Sequence, residues 1–198
     1  MKIEEKLKNI VKPEILQKNL IAASLFNTTY ENFKAYVVDE LKNFYLYKSI
    51  AESKENQLKM YNEEVLNNIN LPSKIIPIKQ SLKWYKTHGV IDENDIKLFK
   101  KLTTIRNIFS HNLYDQLFEG FPKDLDIYFK KMIKLYEKIS NSWLVELCAD
   151  NGYNPQDIDW ENVCYGEIEF IKLISDVALF SSEEYVQILK QEVGETED

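Results

Sequence analysis

Arg106 and His111, with Asn107 beside the arginine, are the residues whose types and spacing could do chemistry. Arg106 is the only arginine among 198 residues, and His111 is one of only two histidines. An arginine presents a rigid planar fork that grips phosphate or carboxylate, whereas a lysine presents a point charge. A histidine titrates near neutral pH. The pair therefore indicates a site for an anionic group, provided that the fold brings the two side chains together.

A straight helix does not place this pair on one face. Positions five apart lie about 140° apart around the axis, whereas Asn107 and His111 are neighbours one turn apart. Either the long Arg106 side chain reaches around the helix, or the helix ends or bends near Ser110. Ser110 and Asn112 are poor helix-interior residues, which makes the second arrangement plausible.

Apolar residues recur every three or four positions along most of the chain, which predicts an all-α fold with an up-and-down bundle as its core. The first helix is long and begins just after Pro13. Its predicted apolar stripe contains Leu16, Leu20, Ala23, Phe26, Tyr30, Phe33, Val37, Leu41 and Phe44. Residues 49–70 are polar and predict an exposed helical continuation or a helix–loop–helix extension.

Capping and breaking residues predict the later helices. Ser73 caps a helix that contains Ile75, Ile78, Leu82 and Tyr85 and ends at His88-Gly89. Asp92 caps the motif helix, with Leu98, Leu102, Ile105 and Phe109 buried. Gly120-Phe121-Pro122 interrupts the chain before a helix from Leu125 to Leu147, and Asn151-Gly152 stops that helix. Two shorter helices, at about 160–180 and 182–192, are expected to follow.

The domain boundary falls near residue 150. Residues 1–150 are expected to form the bundle. Residues 151–198 are expected to form a C-terminal helical extension with an acidic tail, in the same domain or packed against it.

The composition excludes a protein that coats nucleic acid through an overall positive charge. The net charge is -7 and the isoelectric point is about 5.1, so any nucleic-acid contact needs a local basic patch. Cys148 and Cys164 lack metal-site spacing and are expected to be reduced thiols. No apolar run approaches the roughly 20 residues of a membrane span. These features predict a soluble, cytoplasmic protein without membrane contact, metal or cofactor.

The stretch Arg106-Asn107-Ile108-Phe109-Ser110-His111 resembles the arginine–x4-6–histidine signature of the HEPN superfamily. A long first helix before the motif and a long amphipathic helix after it resemble the context of that signature. The resemblance covers roughly residues 14–150. The segment Gly89-Val90-Ile91-Asp92 ahead of the motif is also similar to mannitol operon repressor-like proteins, which are candidate regulators.

The resemblance implies a metal-independent RNA endonuclease, often a toxin of a toxin–antitoxin pair or a phage-defence effector. Arg106 and His111 would then be catalytic and Asn107 would position them. It also implies a homodimer whose two motifs meet across the two-fold axis, with RNA as substrate and an antitoxin protein as a candidate partner. We further expect substrate contacts from Ser110, Asn112 and Lys101, with Lys97 and Lys100 adding positive charge nearby.

Glu31 on the first helix is the best additional candidate, because a carboxylate there could orient Arg106 or His111. Other interpretations stay open. Arg106 could be a structural cation paired with Asp115 or Glu119, and His111 a satisfied helix-end imidazole. The fold could also serve as a catalytically inactive regulatory or interaction module, since the resemblance includes HEPN-like proteins that kept the fold for binding alone.

Overall fold

The computed structural model describes residues 12–48, 53–66, 77–119, 124–160 and 162–179. These residues form an all-α helical bundle and contain no strand. The helices are α1 Pro13–Lys48, α2 Lys54–Glu64, α3 Pro77–Thr87, α4 Glu93–His111, α5 Leu113–Glu119, α6 Leu125–Asp150 and α7 Gly166–Leu179, with a short 3-10 turn at Pro155–Asp157. The predicted fold class is thus confirmed.

The long helix α1 lies at the centre and packs against α2, α3, α4, α6 and α7. Seven residues at spacings of three or four form its buried face: Ala23, Phe26, Tyr30, Phe33, Val37, Leu41 and Tyr45. This is the predicted stripe except at its two ends, where Leu16 and Phe44 are only half-buried, Leu20 is exposed and Tyr45 is buried in place of Phe44. The remaining helices surround α1 because this stripe is too wide to be covered by one neighbour.

The motif helix α4 begins at a complete capping box. The Asp92 carboxylate accepts from the backbone N–H groups of Asn94 and Asp95, and the Asp95 side chain accepts from the backbone of Asp92. The last turn stays regular, since the Asn112 N–H donates to the Ile108 carbonyl at 2.8 Å. α4 therefore contains Ser110 and His111, and the chain turns at Asn112 into α5, a short helix that was not predicted.

Three sequence predictions need correction. Phe99 is buried on α4, whereas Leu98 is only half-buried. The segment at 49–70 contains a separate helix, α2, which agrees with the second of its two predicted forms, but it is not wholly exposed, because Tyr61 is buried against the core. Leu147 near the end of α6 is 59% exposed rather than part of the core. At Phe99, packing against the rings of Tyr30 and Phe33 on α1 shifts the buried face of α4 by one residue.

The C-terminal part of the described chain shares the core of the bundle. Ile168 and Ile171 of α7 belong to the same hydrophobic cluster as the buried residues of α1. The predicted cap Ser73 and Ile75, the break at 120–122, the helix at 182–192 and the acidic tail lie outside the described residues. Among the helices that are described, none is long and apolar enough to cross a membrane.

Candidate functional site

Arg106 is held by two side chains. Its Nη2 forms an ion pair with Glu31 Oε1, and its Nη1 donates to Asn107 Oδ1 at 3.1 Å. Lys34 Nζ contacts the other oxygen of Glu31 at 3.1 Å. The Arg106 side chain is 29% exposed, so part of the guanidinium still faces solvent. The structure therefore brings Arg106, Asn107 and Glu31 together.

Aromatic packing between α1 and α4 fixes how the two helices are aligned, and this alignment places Glu31 beside Arg106 and Asn107. The Phe26 and Phe109 rings lie 5.6 Å apart at one end of the contact, and the Tyr30 and Phe99 rings lie 5.6 Å apart further along. This order makes the two helices antiparallel. The Tyr30 hydroxyl also lies 2.8 Å from Thr103 Oγ1 and fixes the register beside the ion pair.

His111 does not join this cluster within one subunit. It is exposed on the last turn of α4, and no hydrogen bond or ion pair joins it to Arg106 or Asn107, all three being described residues. On the regular helix, His111 lies about 140° around the axis from Arg106 and about 7.5 Å along it. It shares a face with Asn107, one turn away. Asn107 therefore both accepts a hydrogen bond from Arg106 and shares a helix face with His111.

The other predicted contact residues lie at different positions along α4. Ser110 and Asn112 are exposed at its C-terminal end, next to His111. Lys101 lies with its ammonium 5.5 Å from the centre of the Tyr128 ring on α6, on the flank that faces away from Arg106. Within one subunit Lys101 therefore does not contact the Arg106 cluster, and its contact with substrate stays a prediction.

A groove of about 700 Å³ runs between α3 and α4 and ends at Arg106 and Asn107. Its lining consists of Tyr30, Lys34, Ile78, Lys79, Leu82, Lys83, Lys86, Ile96, Phe99, Lys100, Thr103, Arg106 and Asn107. Six of these described residues are cations and none is an acid. The groove is therefore a basic site on a chain whose net charge is -7. Of the three lysines predicted near the motif, only Lys100 lines it.

Two carboxylates partly neutralise the rim of the groove. Glu31 pairs with Lys34, and Glu93 pairs with Lys86. The hydrogen bond from Lys86 lowers the pKa of the Glu93 carboxyl. Elsewhere in the described part of the chain, no acid lies within ion-pair distance of the groove lysines 79, 83 and 100. These three side chains are the cations with the fewest competing contacts.

The sequence alone did not indicate a functional role for the lysines of α3. Lys79, Lys83 and Lys86 are spaced four and three apart, so they form one row on α3. A row of lysines on a helix is usually a solvated face, and only the position of α3 opposite α4 makes it the wall of a groove. The spacing indicates that the three lysines share one face of α3, but it does not specify which helix lies opposite that face.

The alternative roles can be compared with the geometry. The observed partner of Arg106 is Glu31 rather than Asp115, and the side chain of Glu119 lies outside the described residues.

His88 stacks on Trp84 with 3.7 Å between ring centres, and its Nδ1 lies 2.9 Å from the Trp84 carbonyl oxygen. It is an exposed histidine directly after the end of α3.

Both cysteines carry free thiols. In the described part of the chain, no three His, Cys, Asp or Glu side chains come together as a metal site would need. Comparison of the chain with family models, with curated proteins and with solved structures gave no match in any of the three.

Proposed function

We propose that this protein is a metal-independent RNA endonuclease of the HEPN type that its motif resembles. The observation that supports the proposal best is the placement of Arg106. Its guanidinium lies beside Asn107 at the end of a groove lined by cations, and the exposed His111 lies one turn from Asn107. A toxin or phage-defence role with an antitoxin partner follows from the resemblance and stays a prediction.

The proposed reaction uses the ribose 2′-hydroxyl as the nucleophile. A base removes the hydroxyl proton, the 2′-oxygen forms a bond to phosphorus, and the bond from phosphorus to the 5′-oxygen breaks after that oxygen gains a proton. His111 can fill either proton-transfer role. Arg106 stabilises the charge on the non-bridging oxygens, and Asn107 holds the guanidinium toward them. The products are a 2′,3′-cyclic phosphate and a 5′-hydroxyl.

A homodimer would complete this site. One subunit supplies a single motif histidine, but the reaction needs both a proton acceptor and a proton donor. Lys100, Thr104, Asn107 and His111 are all exposed and lie along one face of α4. Two copies that meet through this face around a two-fold axis would bring two His111 rings to one phosphate.

The direct test measures cleavage of single-stranded RNA in the presence of EDTA. We expect fragments that end in a 2′,3′-cyclic phosphate, and no cleavage of DNA of the same sequence, because DNA lacks the nucleophile. Sedimentation of the same preparation should show a dimer at the assay concentration. Cleavage that requires a divalent cation, cleavage of the DNA, or an active monomer would contradict the proposal.

Glu31 is a positioning residue in this proposal, because it reaches the phosphate only through Arg106. Replacing it with glutamine keeps the shape but removes the charge that competes with phosphate for the guanidinium. We expect the Glu31→Gln variant to bind RNA roughly threefold more tightly, since an exposed ion pair is worth up to about 1 kcal/mol. We expect kcat to fall about tenfold because the guanidinium is no longer fixed.

The matched control for this variant is Glu137→Gln. Glu137 also forms an ion pair, with Lys172 at 2.8 Å, but it lies on α6 away from the groove. The control should leave both KM and kcat unchanged. A parallel loss of activity in both variants, or an unchanged kcat in Glu31→Gln, would mean that Glu31 contributes to stability and not to positioning.

A second candidate function is a catalytically inactive regulatory or interaction module with the same fold. It is favoured by one observation: Arg106 is neutralised by Glu31 and makes no contact with His111 in the subunit, both being described residues. This candidate predicts that the dimer forms and that RNA stays intact in the EDTA assay, whatever substitutions are made at the motif.

A further inference from the structure

We propose that the groove between α3 and α4 is a track for single-stranded RNA and excludes a duplex. This inference rests on the proposed function, because it assigns a substrate to the site at the end of the groove. Arg106 and Asn107 belong both to the groove and to the motif. A strand whose scissile phosphate contacts Arg106 would therefore place its neighbouring nucleotides against α3.

The walls of the groove suit a chain of phosphates. Lys79, Lys83 and Lys86 stand at positions i, i+4 and i+7 of α3, which spreads their Cα atoms over about 10 Å along the helix axis. Lys100 on α4 faces them across the groove. A row of charges of this length fits a polyanion better than a ligand with a single charged group. Because the whole chain has a net charge of -7, this row is also a local region of opposite charge.

The floor of the groove suits bases. Ile78 and Ile96 line the groove and are half-buried, so their apolar side chains stay accessible above the buried Leu82 and Phe99. Single-stranded nucleic acid is generally bound in this way, with a basic groove along the backbone and apolar or aromatic contacts to the base faces. A duplex stacks its bases on each other and cannot offer those faces to the floor. Charge on the walls and apolar surface below thus select the single strand.

The experiment measures binding of a fluorescein-labelled 12-nucleotide RNA by anisotropy, in the His111→Ala background so that the probe stays intact. The test variant is Lys79→Gln with Lys83→Gln. The control is Lys130→Gln with Lys134→Gln, a pair with the same spacing on the exposed face of α6. Both pairs remove the same total charge, so any difference between them reports location.

We expect the α3 pair to raise the dissociation constant about tenfold near physiological salt. It should also reduce the slope of log K against log salt by about 1.4, because each phosphate contact on a single strand contributes about 0.7. The control pair should change neither quantity. An abasic strand of the same length, the matching RNA duplex and a free nucleoside triphosphate should each bind more weakly than the single strand.

Equal effects of the two lysine pairs would overturn the inference, and so would equal binding of the abasic strand, the duplex or the free nucleotide. Failure of the proposed function can be told apart from this failure. If wild type cleaves RNA but the α3 pair behaves like the control, the endonuclease stands and the track is wrong. If RNA binds to the groove as expected but the wild-type protein leaves it intact, the groove is a single-strand binding site on a catalytically inactive module. If wild type neither binds nor cuts RNA, both proposals fall.

Discussion

Replacing His111 with alanine is expected to lower the rate of RNA cleavage by about 100-fold to 10,000-fold, the usual range for the loss of a general acid or base. His111 is exposed in the subunit, so its removal should leave the melting temperature unchanged. The affinity for RNA should also stay close to that of wild type, because the groove lysines are intact. The measurement is the rate of appearance of cyclic-phosphate ends under single-turnover conditions.

The chain supplies its own control in His88→Ala. His88 is the only other histidine and is also exposed at the end of a helix, but it stacks on Trp84 and has no arginine beside it. This variant should cleave RNA at the wild-type rate. An active His111→Ala variant would remove the imidazole from the mechanism, whereas equal losses in both variants would indicate a general defect in the protein.

Replacing Phe33 with alanine is expected to destabilise the bundle by about 3–5 kcal/mol, the usual cost of a large cavity in a core. Phe33 is fully buried in α1, with its ring centre 5.8 Å from that of Phe99 and 5.0 Å from that of Tyr136. The cavity would therefore open where α1, α4 and α6 meet. For a chain of this size, the melting temperature should fall by roughly 6–20 °C in a calorimetric scan.

Leu147→Ala is the matched control for the core substitution. Leu147 lies on α6 and is 59% exposed, so truncating it should change the free energy of unfolding by less than about 0.5 kcal/mol. If both variants melt at the wild-type temperature, the packing of α1 against α4 and α6 is wrong. The position of Glu31 beside Arg106 would then lose its basis.

The fold was largely predictable because local signals agreed with one another. The stripe on α1 repeats over more than 20 residues, and the Asp92 cap precedes the motif helix directly. Errors appeared where the decision depended on a neighbour. Leu98 and Phe99 are both apolar, and the choice of Phe99 for the core follows from the rings of Tyr30 and Phe33 on α1.

The candidate site was predictable only in part. Arg106, Asn107 and His111 lie within one six-residue stretch, and the rarity of arginine and histidine in this chain marked that stretch as a candidate. Glu31 is 75 positions from Arg106 and could be named only as a candidate to orient Arg106 or His111, because its ion pair depends on the antiparallel register of α1 and α4. The lysine row on α3 could not be assigned, because nothing in its local sequence indicates which helix lies opposite. The alignment of helices that are distant in sequence thus decides which charged side chains line the same groove.

The central position of α1 also limits how the molecule can open. Every other long helix of the described chain rests on α1, so α1 cannot detach while its neighbours stay packed. Backbone amide hydrogens near Phe33 and Val37 should then exchange with solvent only when the whole bundle unfolds, whereas those of α5 can exchange through local fraying. A ligand that tightens the groove would slow the exchange of α3 first and leave the centre of α1 unchanged.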